Sequence, residues 1–214
     1  MAVIYAIPGL GCSKWIYQNI RVNGHTIKIL NWPKSNKNFT LKYYAKEFLK
    51  QIDQTGEFYL MGVSFGGMLC IELGDLIEPE KIILISSAKN RNELPRSCRF
   101  LKYFPVHLLI PEKAFRKIAL LSRKFLGFPK SLLPEFDLMI KSMPQNHFSH
   151  SINYIICWDR KANSMPVVHI HGDRDMILKY KNITNVSYTV PKGTHAMVFT
   201  RADEINNILK EVIK

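Results

Sequence analysis

Cysteine is scarce in this sequence, and its placement indicates no metal site. The 214 residues include four scattered cysteines, with no Cys-x-x-Cys pair and no histidine at metal-ligand spacing: Cys12, Cys70, Cys98 and Cys157. The lack of paired spacings excludes the common zinc motifs, and unpaired thiols are typical of a reducing compartment. We therefore expect free thiols, no bound metal and a cytoplasmic protein.

Long hydrophobic runs are also absent. No run approaches the roughly 18 residues that a membrane-spanning helix needs. Residues 1–7 are apolar, but this stretch is too short for the core of a signal peptide, lacks a basic start and runs directly into Pro8. Hydrophobic residues make up 47% and charged residues 22% of the chain, which is ordinary for a soluble protein. We expect one soluble domain over residues 1–214, without a membrane span.

Acidic residues are few, with 17 Asp and Glu against 30 Lys and Arg, and the formal net charge is +13. Residues 88–165 hold 14 of the basic and only five of the acidic residues, so nine of the 13 net charges lie there. This segment lacks the motifs of nucleic-acid-binding proteins. We therefore expect no nucleic-acid partner. Solvated helix faces are the simplest interpretation, and an anionic substrate or partner is the alternative.

Six short apolar runs predict β-strands. Their patterns are near-continuous rather than alternating, which is typical of strands buried on both faces in a parallel sheet. The predicted strands are residues 2–7, 26–30, 58–63, 81–86, 166–171 and 186–190.

Helical periodicity lies between several of these strands. Apolar residues recur at helical spacing over residues 41–52, where Thr40 is the predicted N-cap. They recur again over residues 205–212, where Thr200 and Asp203 have the spacing of a capping box. Alternating strands and helices predict an open, doubly wound α/β sheet with right-handed crossovers.

The alternation breaks over residues 88–164. This stretch carries six prolines with helix-like blocks between them, and the block after Pro111 reads EKAFRKIALLSRKFLGF. No linker-like composition separates the stretch from the rest of the chain. We expect a helical cap inserted between strands 4 and 5 rather than a second domain.

Residues 62–66, Gly-Val-Ser-Phe-Gly, match the pattern G-x-S-x-G between a predicted strand and a predicted helix. A sharp strand-to-helix turn forces its serine to a positive φ, which is tolerated only between small neighbours such as Gly62 and Gly66. The helix N-terminus behind Ser64 offers N–H donors and a positive dipole end where an oxyanion would form. The simpler interpretation is a tight turn that contains a serine, and the sharper one is a nucleophile.

A nucleophilic serine needs a base and an acid, and two later strand ends offer them. The residues VVHIHGDRDMIL place Asp173 and Asp175 in a turn after a strand, and VPKGTHAMVF places His195 in a loop after the last strand. The carboxyl ends of parallel strands meet at one edge of a sheet, so these side chains are expected to converge on Ser64. Taken separately, Asp175 is also interpretable as a helix cap and His195 as a surface residue.

A glycine-rich turn follows the first strand in the residues YAIPGLGCSKW. Its glycines suggest a dinucleotide fingerprint, but Lys14 stands where G-x-G-x-x-G needs its last glycine, and no acidic residue follows about 20 positions later. Nucleotide binding is therefore disfavoured. The alternative is an oxyanion loop in which the Leu10 N–H pairs with that of Phe65.

Three other side chains near these motifs have simpler interpretations. His169 and His171 come from a buried strand or its end, where core or turn roles fit both. Cys12 lies beside the glycine-rich turn, and a small loop residue fits it better than a second nucleophile.

Together these motifs resemble the α/β-hydrolase superfamily, from the first strand to the C-terminal helix. The resemblance implies that Ser64, in Gly-Val-Ser-Phe-Gly-Gly, is the nucleophile. It implies that Asp175, the fifth residue of His-Gly-x-x-Asp, is the acid rather than Asp173, and that His195, in Gly-x-His, is the base. The family's His-Gly oxyanion motif appears as Pro-Gly-Leu at residues 8–10, which leaves its N–H donor available.

The resemblance also implies a fold and an activity. The sheet would have six mostly parallel strands in the order 2-1-3-4-5-6, without the family's N-terminal antiparallel hairpin, and residues 88–164 would occupy the cap position. The implied activity is hydrolysis of a small-molecule ester or thioester through an acyl-enzyme, without a cofactor. Carbon–carbon bond hydrolases, acyltransferases and peroxidases share the fold, so the bond type stays open, as does the oligomeric state.

Two interpretations from other functional classes also stay open. One is a ligand-binding or sensing protein that keeps the fold and the triad with little turnover. The other is a nucleic-acid or anionic-membrane binder that uses the basic segment 88–165. In a milder version, this segment attracts anionic acyl substrates such as coenzyme or carrier thioesters.

Overall fold

Six parallel strands form the centre of the computed structural model, which describes the side chains of residues 1–98 and 100–214. The sheet order is β2-β1-β3-β4-β5-β6, and every neighbouring pair is parallel. The doubly wound α/β architecture and the strand order expected from the sequence are therefore confirmed. The strands are β1 (Val3–Ile7), β2 (Thr26–Ile29), β3 (Phe58–Val63), β4 (Lys81–Ile85), β5 (Val167–Gly172) and β6 (Tyr188–Val190).

Helices connect these strands, and α3 to α7 lie in the long connection between β4 and β5. The α-helices are α1 (Leu41–Lys46), α2 (Phe65–Gly74), α3 (Arg96–Tyr103), α4 (Glu112–Leu121), α5 (Arg123–Leu126), α6 (Leu133–Lys141), α7 (His147–Cys157), α8 (Met197–Thr200) and α9 (Ala202–Val212). Short 3₁₀ helices cover Lys14–Tyr17, Glu47–Gln51, Arg91–Glu93, Val106–Leu109, Lys130–Leu132 and Tyr180–Asn182.

Successive residues of the central strands are buried in two separate apolar clusters, one on each face of the sheet. In β1, Ile4 and Ala6 belong to one cluster, whereas Tyr5 and Ile7 belong to the other. Strand geometry explains this division, because successive side chains point to opposite faces. The first cluster is closed by α9, and the second by α1 and α2. Burial on both faces explains why β1, β3 and β4 are continuously apolar in sequence, whereas the edge strand β2 is partly exposed.

Two predicted helices differ from the observed ones. The periodic stretch 41–52 forms α1 only as far as Lys46 and then tightens into a 3₁₀ helix. Thr40 is its N-cap as expected, since the Thr40 Oγ1 accepts a hydrogen bond from the Tyr43 N–H at 3.1 Å. The block after Pro111 forms two helices, α4 and α5, which are divided at Ser122. The Ser122 hydroxyl donates to the Ala119 carbonyl at 2.7 Å, as serines often do at helix ends.

The predicted capping box at Thr200 and Asp203 is wrong. Thr200 is the last residue of α8, and its hydroxyl donates to the carbonyl of Ala196 at 3.3 Å. Arg201 instead stands at the N-cap position of α9, without a side-chain cap hydrogen bond. The Thr200 side chain therefore forms its hydrogen bond within the turn of α8 and does not cap α9.

The α-helices of the described chain are short. The longest, α7 and α9, have 11 residues each, and no described helix is both long and apolar enough to cross a bilayer.

The glycines on either side of Ser64 allow β1, β3 and α2 to approach one another closely. A methyl group on Gly66 would collide with the carbonyl oxygens of Ile7 and Pro8, and one on Gly62 would collide with the backbone of Gly66. These neighbours are backbone atoms held in or beside the sheet and helix, so they cannot move aside without disturbing either element. Small residues are therefore required on both sides of the serine.

We expect Gly66→Ala to lower the free energy of unfolding by about 2 kcal/mol or more, because the added methyl group overpacks the junction. Urea denaturation followed by circular dichroism measures this change. Gly56→Ala is the matched control, since nothing lies within 4 Å of the position that its methyl group would take. Equal stabilities of the two variants would contradict the close-packing argument.

Two buried histidines make the stability of the fold sensitive to acid. His147 and His169 are 0% exposed. Burial, together with neighbouring positive charges such as Arg116 beside His147 and Lys89 beside His169, lowers the pKa of each ring to about 3. An unfolded chain protonates such rings near pH 6.5. Between these two values the unfolded state binds more protons than the folded one, so the folded state loses stability as the pH falls.

We expect the free energy of unfolding to fall as the pH is lowered from about 6.5 towards 3, with each ring contributing about 1.4 kcal/mol per pH unit. Urea titrations at several pH values measure this slope. His169→Gln removes one titrating ring and should make the slope shallower by about that amount. His25→Gln, at a partly exposed ring, is the control. An unchanged slope in the His169 variant would refute the assignment.

Candidate active site

Ser64 occupies the sharp turn between β3 and α2. Its backbone has φ 52° and ψ −118°, a left-handed conformation that non-glycine residues rarely adopt. Two hydrogen bonds hold it there: the Ser64 N–H donates to the carbonyl of Ile85 at 3.0 Å, and the Ser87 hydroxyl donates to the Ser64 carbonyl at 2.6 Å. The Ser64 side chain does not cap α2. Its hydroxyl is instead directed towards the loop after β6.

His195 in that loop joins Ser64 to Asp175. The His195 Nε2 lies 2.9 Å from the Ser64 Oγ, and its Nδ1 lies 2.7 Å from the Asp175 Oδ2. The structure therefore brings together the three residues that the sequence analysis placed at the carboxyl ends of three strands. Asp173, the competing acid, is exposed, and the hydrogen bond to His195 is made by Asp175.

Asp175 is held as a carboxylate beneath His195. Its Oδ1 accepts hydrogen bonds from the N–H groups of Ile177 at 2.8 Å and Leu178 at 2.9 Å. Burial by itself would raise the pKa of Asp175, but the charge and hydrogen bond of His195 and the bond from Leu178 outweigh burial and lower it. The ionised carboxylate accepts a hydrogen bond from the Nδ1–H of His195, which leaves Nε2 free to accept a hydrogen bond from the Ser64 hydroxyl.

His171 is a neighbour of this carboxylate whose contact sequence analysis did not anticipate. It is fully buried, and its Nε2 lies 2.8 Å from the Leu178 carbonyl and 3.5 Å from the Asp175 Oδ2. Burial lowers the pKa of His171, and a carbonyl oxygen only accepts, so the neutral ring donates from Nε2. The core role expected for His171 thus includes fixing the turn that carries Asp175. Its only sequence signal is its place at the start of His-Gly-x-x-Asp.

The loop after β1 lies against the serine. A methyl group on Gly9 would be 3.5 Å from the Ser64 Cβ, and the Cys12 N–H closes the turn by donating to the Gly9 carbonyl at 2.9 Å. Leu10 lines the cavity above Ser64. Phe65 is the first residue of α2, so its N–H is among those that a helix leaves without an intrahelical partner.

Cys12 also lines this cavity. Burial raises the pKa of Cys12 to about 12. Since the thiolate rather than the thiol is the nucleophile, Cys12 is inert at neutral pH. All four cysteines are free thiols. Among the side chains that the structure describes, no group of three or more His, Cys, Asp or Glu is placed to hold a metal ion.

A cavity of about 600 Å³ opens above Ser64 and His195. Its far wall comes from the helices between β4 and β5, through apolar side chains that include Phe115, Phe136 and Phe148. The cavity walls contain neither a carboxylate nor a Lys or Arg within the described part of the chain. The site can therefore enclose an apolar group next to a hydroxyl that is hydrogen-bonded to a base.

A backbone hydrogen bond connects the helices over the cavity to the loop that contains His195. The Ala196 N–H donates to the carbonyl of Leu126, at the end of α5, with a distance of 2.8 Å. Both residues line the cavity. The position of His195 is thus coupled to the position of α5.

Known proteins are similar to this chain in structure and not in sequence. No protein-family model matches the chain, and no curated protein matches it in sequence. A malate-bound thermophilic esterase from Thermogutta terrifontis has a TM-score of 0.71 at 14% identity, with 100% of this chain and 89% of that chain covered.

Two further solved structures are similar over almost the whole chain. A hydrolase from Oleispira antarctica has a TM-score of 0.73 at 16% identity, with 100% of this chain and 91% of that chain covered. An esterase from Exiguobacterium antarcticum has a TM-score of 0.73 at 12% identity, with 99% and 91% covered. At such identities the likeness establishes the fold, and the chain has the α/β-hydrolase fold that its motifs predicted.

Proposed function

We propose that the protein is a serine hydrolase that cleaves an ester or thioester through Ser64, His195 and Asp175. The observation that carries the proposal is the continuous chain of hydrogen bonds from the Ser64 Oγ to the His195 ring, at 2.9 Å, and from that ring to the Asp175 carboxylate, at 2.7 Å. Nucleophile, base and orienting acid are thereby within reach of one another before substrate binds. The esterases and hydrolases with the same fold support this class of activity.

In the proposed reaction, His195 Nε2 takes the hydroxyl proton as the Ser64 Oγ attacks the carbonyl carbon of the substrate. Asp175 stabilises the imidazolium that forms, and the imidazolium then returns its proton to the leaving alcohol or thiol. A water molecule deprotonated by His195 attacks the acyl-enzyme, which releases the acid and restores Ser64. These side chains and water complete the cycle without a cofactor.

We assign the oxyanion hole to the N–H groups of Leu10 and Phe65. The Phe65 N–H lies at the N-terminus of α2, where the helix dipole favours negative charge. Gly9 brings the loop of Leu10 within van der Waals reach of Ser64. Two N–H donors facing the developing oxyanion would supply the electrostatic stabilisation that acyl transfer needs.

We assign residues 88–164 to a helical cap on the hydrolase domain of residues 1–214. The helices of this segment form the wall of the cavity that faces Ser64. Because that wall is apolar, the enclosed part of the substrate is an aliphatic or aromatic group. The charged portion of an anionic substrate would have to stay outside the cavity.

We expect Ser64→Ala to reduce turnover of p-nitrophenyl butyrate by at least about 10⁴-fold, because the acyl-enzyme can no longer form. Ser97→Ala is the matched control, since Ser97 lines the same cavity at a position outside the triad. A fluorophosphonate probe should label the wild-type protein at Ser64 and leave Ser64→Ala unlabelled. Undiminished turnover in the alanine variant would refute the assignment, and tight ligand binding without labelling would favour the binding-protein alternative.

We expect Asp175→Asn to lower kcat by roughly 10³- to 10⁴-fold, since a neutral amide neither fixes the His195 tautomer nor stabilises the imidazolium. Asp173→Asn should change kcat by less than about twofold, because Asp173 is exposed and outside the hydrogen-bonded chain. Steady-state kinetics on the same ester measures both variants. A larger loss of kcat in Asp173→Asn than in Asp175→Asn would show that Asp173 is the acid and would refute the assignment to Asp175.

A further inference from the structure

Exposed apolar side chains are concentrated in one stretch of the chain, which forms α3 to α6. Among the described side chains, 14 large hydrophobic ones are exposed, and 11 of these lie between residues 100 and 138. Leu109 is 82% and Tyr103 is 79% exposed. Exposed apolar side chains in such number are typical of an interaction surface. The 11 side chains are Phe100, Tyr103, Phe104, Val106, Leu108, Leu109, Ile118, Leu121, Phe125, Leu133 and Leu138.

The same stretch is strongly basic. Residues 96–130 contain nine Lys and Arg and a single carboxylate, Glu112. Glu112 is already engaged, since it lies 3.7 Å from the Arg116 guanidinium and accepts the Ser149 N–H at 3.1 Å. The exposed basic residues there include Lys102, Lys113, Lys117 and Lys124. We call the 11 apolar side chains and these four lysines the basic–apolar surface.

The basic–apolar surface borders the opening of the cavity above Ser64. Ile118 is 50% exposed and also lines the cavity, so it lies at the rim. Leu121 and Phe125 follow it at helical spacing along α4 and α5. Ser97 of α3 is exposed and also lines the cavity, and Phe100 of the same helix stacks on Phe104 at 4.9 Å between ring centroids.

We propose that the basic–apolar surface binds the surface of an anionic lipid bilayer, with the cavity opening turned towards the lipid. Apolar side chains flanked by lysines suit this partner, because the side chains enter the boundary between headgroups and acyl chains while the lysines meet anionic headgroups. Seven of the 11 side chains are aliphatic (Val106, Leu108, Leu109, Ile118, Leu121, Leu133 and Leu138). Aliphatic groups gain nothing from phosphate and stack poorly on bases, which argues against a nucleic acid.

This placement also identifies the substrate class. A cavity with apolar walls that opens onto a bilayer receives an apolar ester directly from the lipid phase, without passage through water. This second part rests on the proposed hydrolase function, whereas the binding to lipid does not.

Co-sedimentation with vesicles tests the binding. Wild-type protein should sediment with vesicles of equal parts phosphatidylcholine and phosphatidylglycerol, more strongly at low salt, and far less with phosphatidylcholine alone. Leu109→Ser combined with Leu121→Ser should weaken the partitioning on the order of tenfold or more. Tyr43→Ser, at a side chain 49% exposed in α1 and outside the surface, should leave it unchanged. A thermal melt of each variant verifies that it is folded.

A second set of variants tests the contribution of the lysines to vesicle binding separately from that of the apolar side chains. Lys102→Gln combined with Lys124→Gln should weaken partitioning by about fivefold for each charge removed. Lys46→Gln combined with Lys210→Gln, at exposed lysines in α1 and α9, is the matched control. Absence of wild-type binding to anionic vesicles, or an equal loss in the control pair, would overturn the proposal. Retention on single-stranded DNA without vesicle binding would assign the surface to a nucleic acid and overturn it as well.

The Ser64→Ala variant separates this proposal from the proposed function. It should bind anionic vesicles as tightly as wild type, whatever its activity. If the enzyme takes its substrate from lipid, the Leu109 and Leu121 double variant should hydrolyse a long-chain ester in anionic vesicles at least about tenfold more slowly. Its rate on dissolved p-nitrophenyl butyrate should be that of wild type. Equal rates in vesicles would refute delivery from lipid.

Discussion

The close approach of α2 to β1 and β3 is the constraint on which the rest of the site depends. Without methyl groups at Gly62 and Gly66, the backbone of α2 lies against the carbonyls that end β1. This contact requires the sharp turn that holds Ser64 at φ 52°. A non-glycine residue in that region costs on the order of 1–3 kcal/mol and persists only when its surroundings determine it completely. Here two hydrogen bonds hold the backbone of Ser64 in place: its N–H donates to the Ile85 carbonyl, and its carbonyl accepts from the Ser87 hydroxyl.

The apolar cavity strengthens the hydrogen bonds that connect Ser64, His195 and Asp175. Hydrogen bonds between polar groups gain strength where water is excluded, so the contacts of His195 with Ser64 and Asp175 depend on the helices that cover them. The Leu126 carbonyl, which accepts the Ala196 N–H, links that cover to the His195 loop. The position of His195 between Ser64 and Asp175 thus depends on the covering helices, and movement of α5 would alter its hydrogen bonds.

Parallel topology explains why so much of the site could be predicted from the sequence. Ser64, Asp175 and His195 follow β3, β5 and β6, and the carboxyl ends of parallel strands share one edge. The role of His171 beside Asp175 could not be inferred, because it depends on how the turn folds back onto β5. The capping box at Thr200 failed for a related reason. A local spacing cannot show that the hydroxyl already belongs to the preceding helix.

The helices between β4 and β5 show most clearly what helical periodicity in a sequence cannot predict. The charge of residues 88–165 was interpreted most simply as solvated helix faces, and their helix-like blocks as a cap, with no prediction of which apolar residues are exposed. The structure separates these residues into two sets. Phe115, Phe136 and Phe148 point into the cavity, whereas Leu109 and Leu121 remain exposed. Burying a leucine gains about 1.5–3 kcal/mol. A fold that leaves these 11 large apolar side chains exposed beside exposed lysines forgoes that gain, and contact with a lipid surface would recover it.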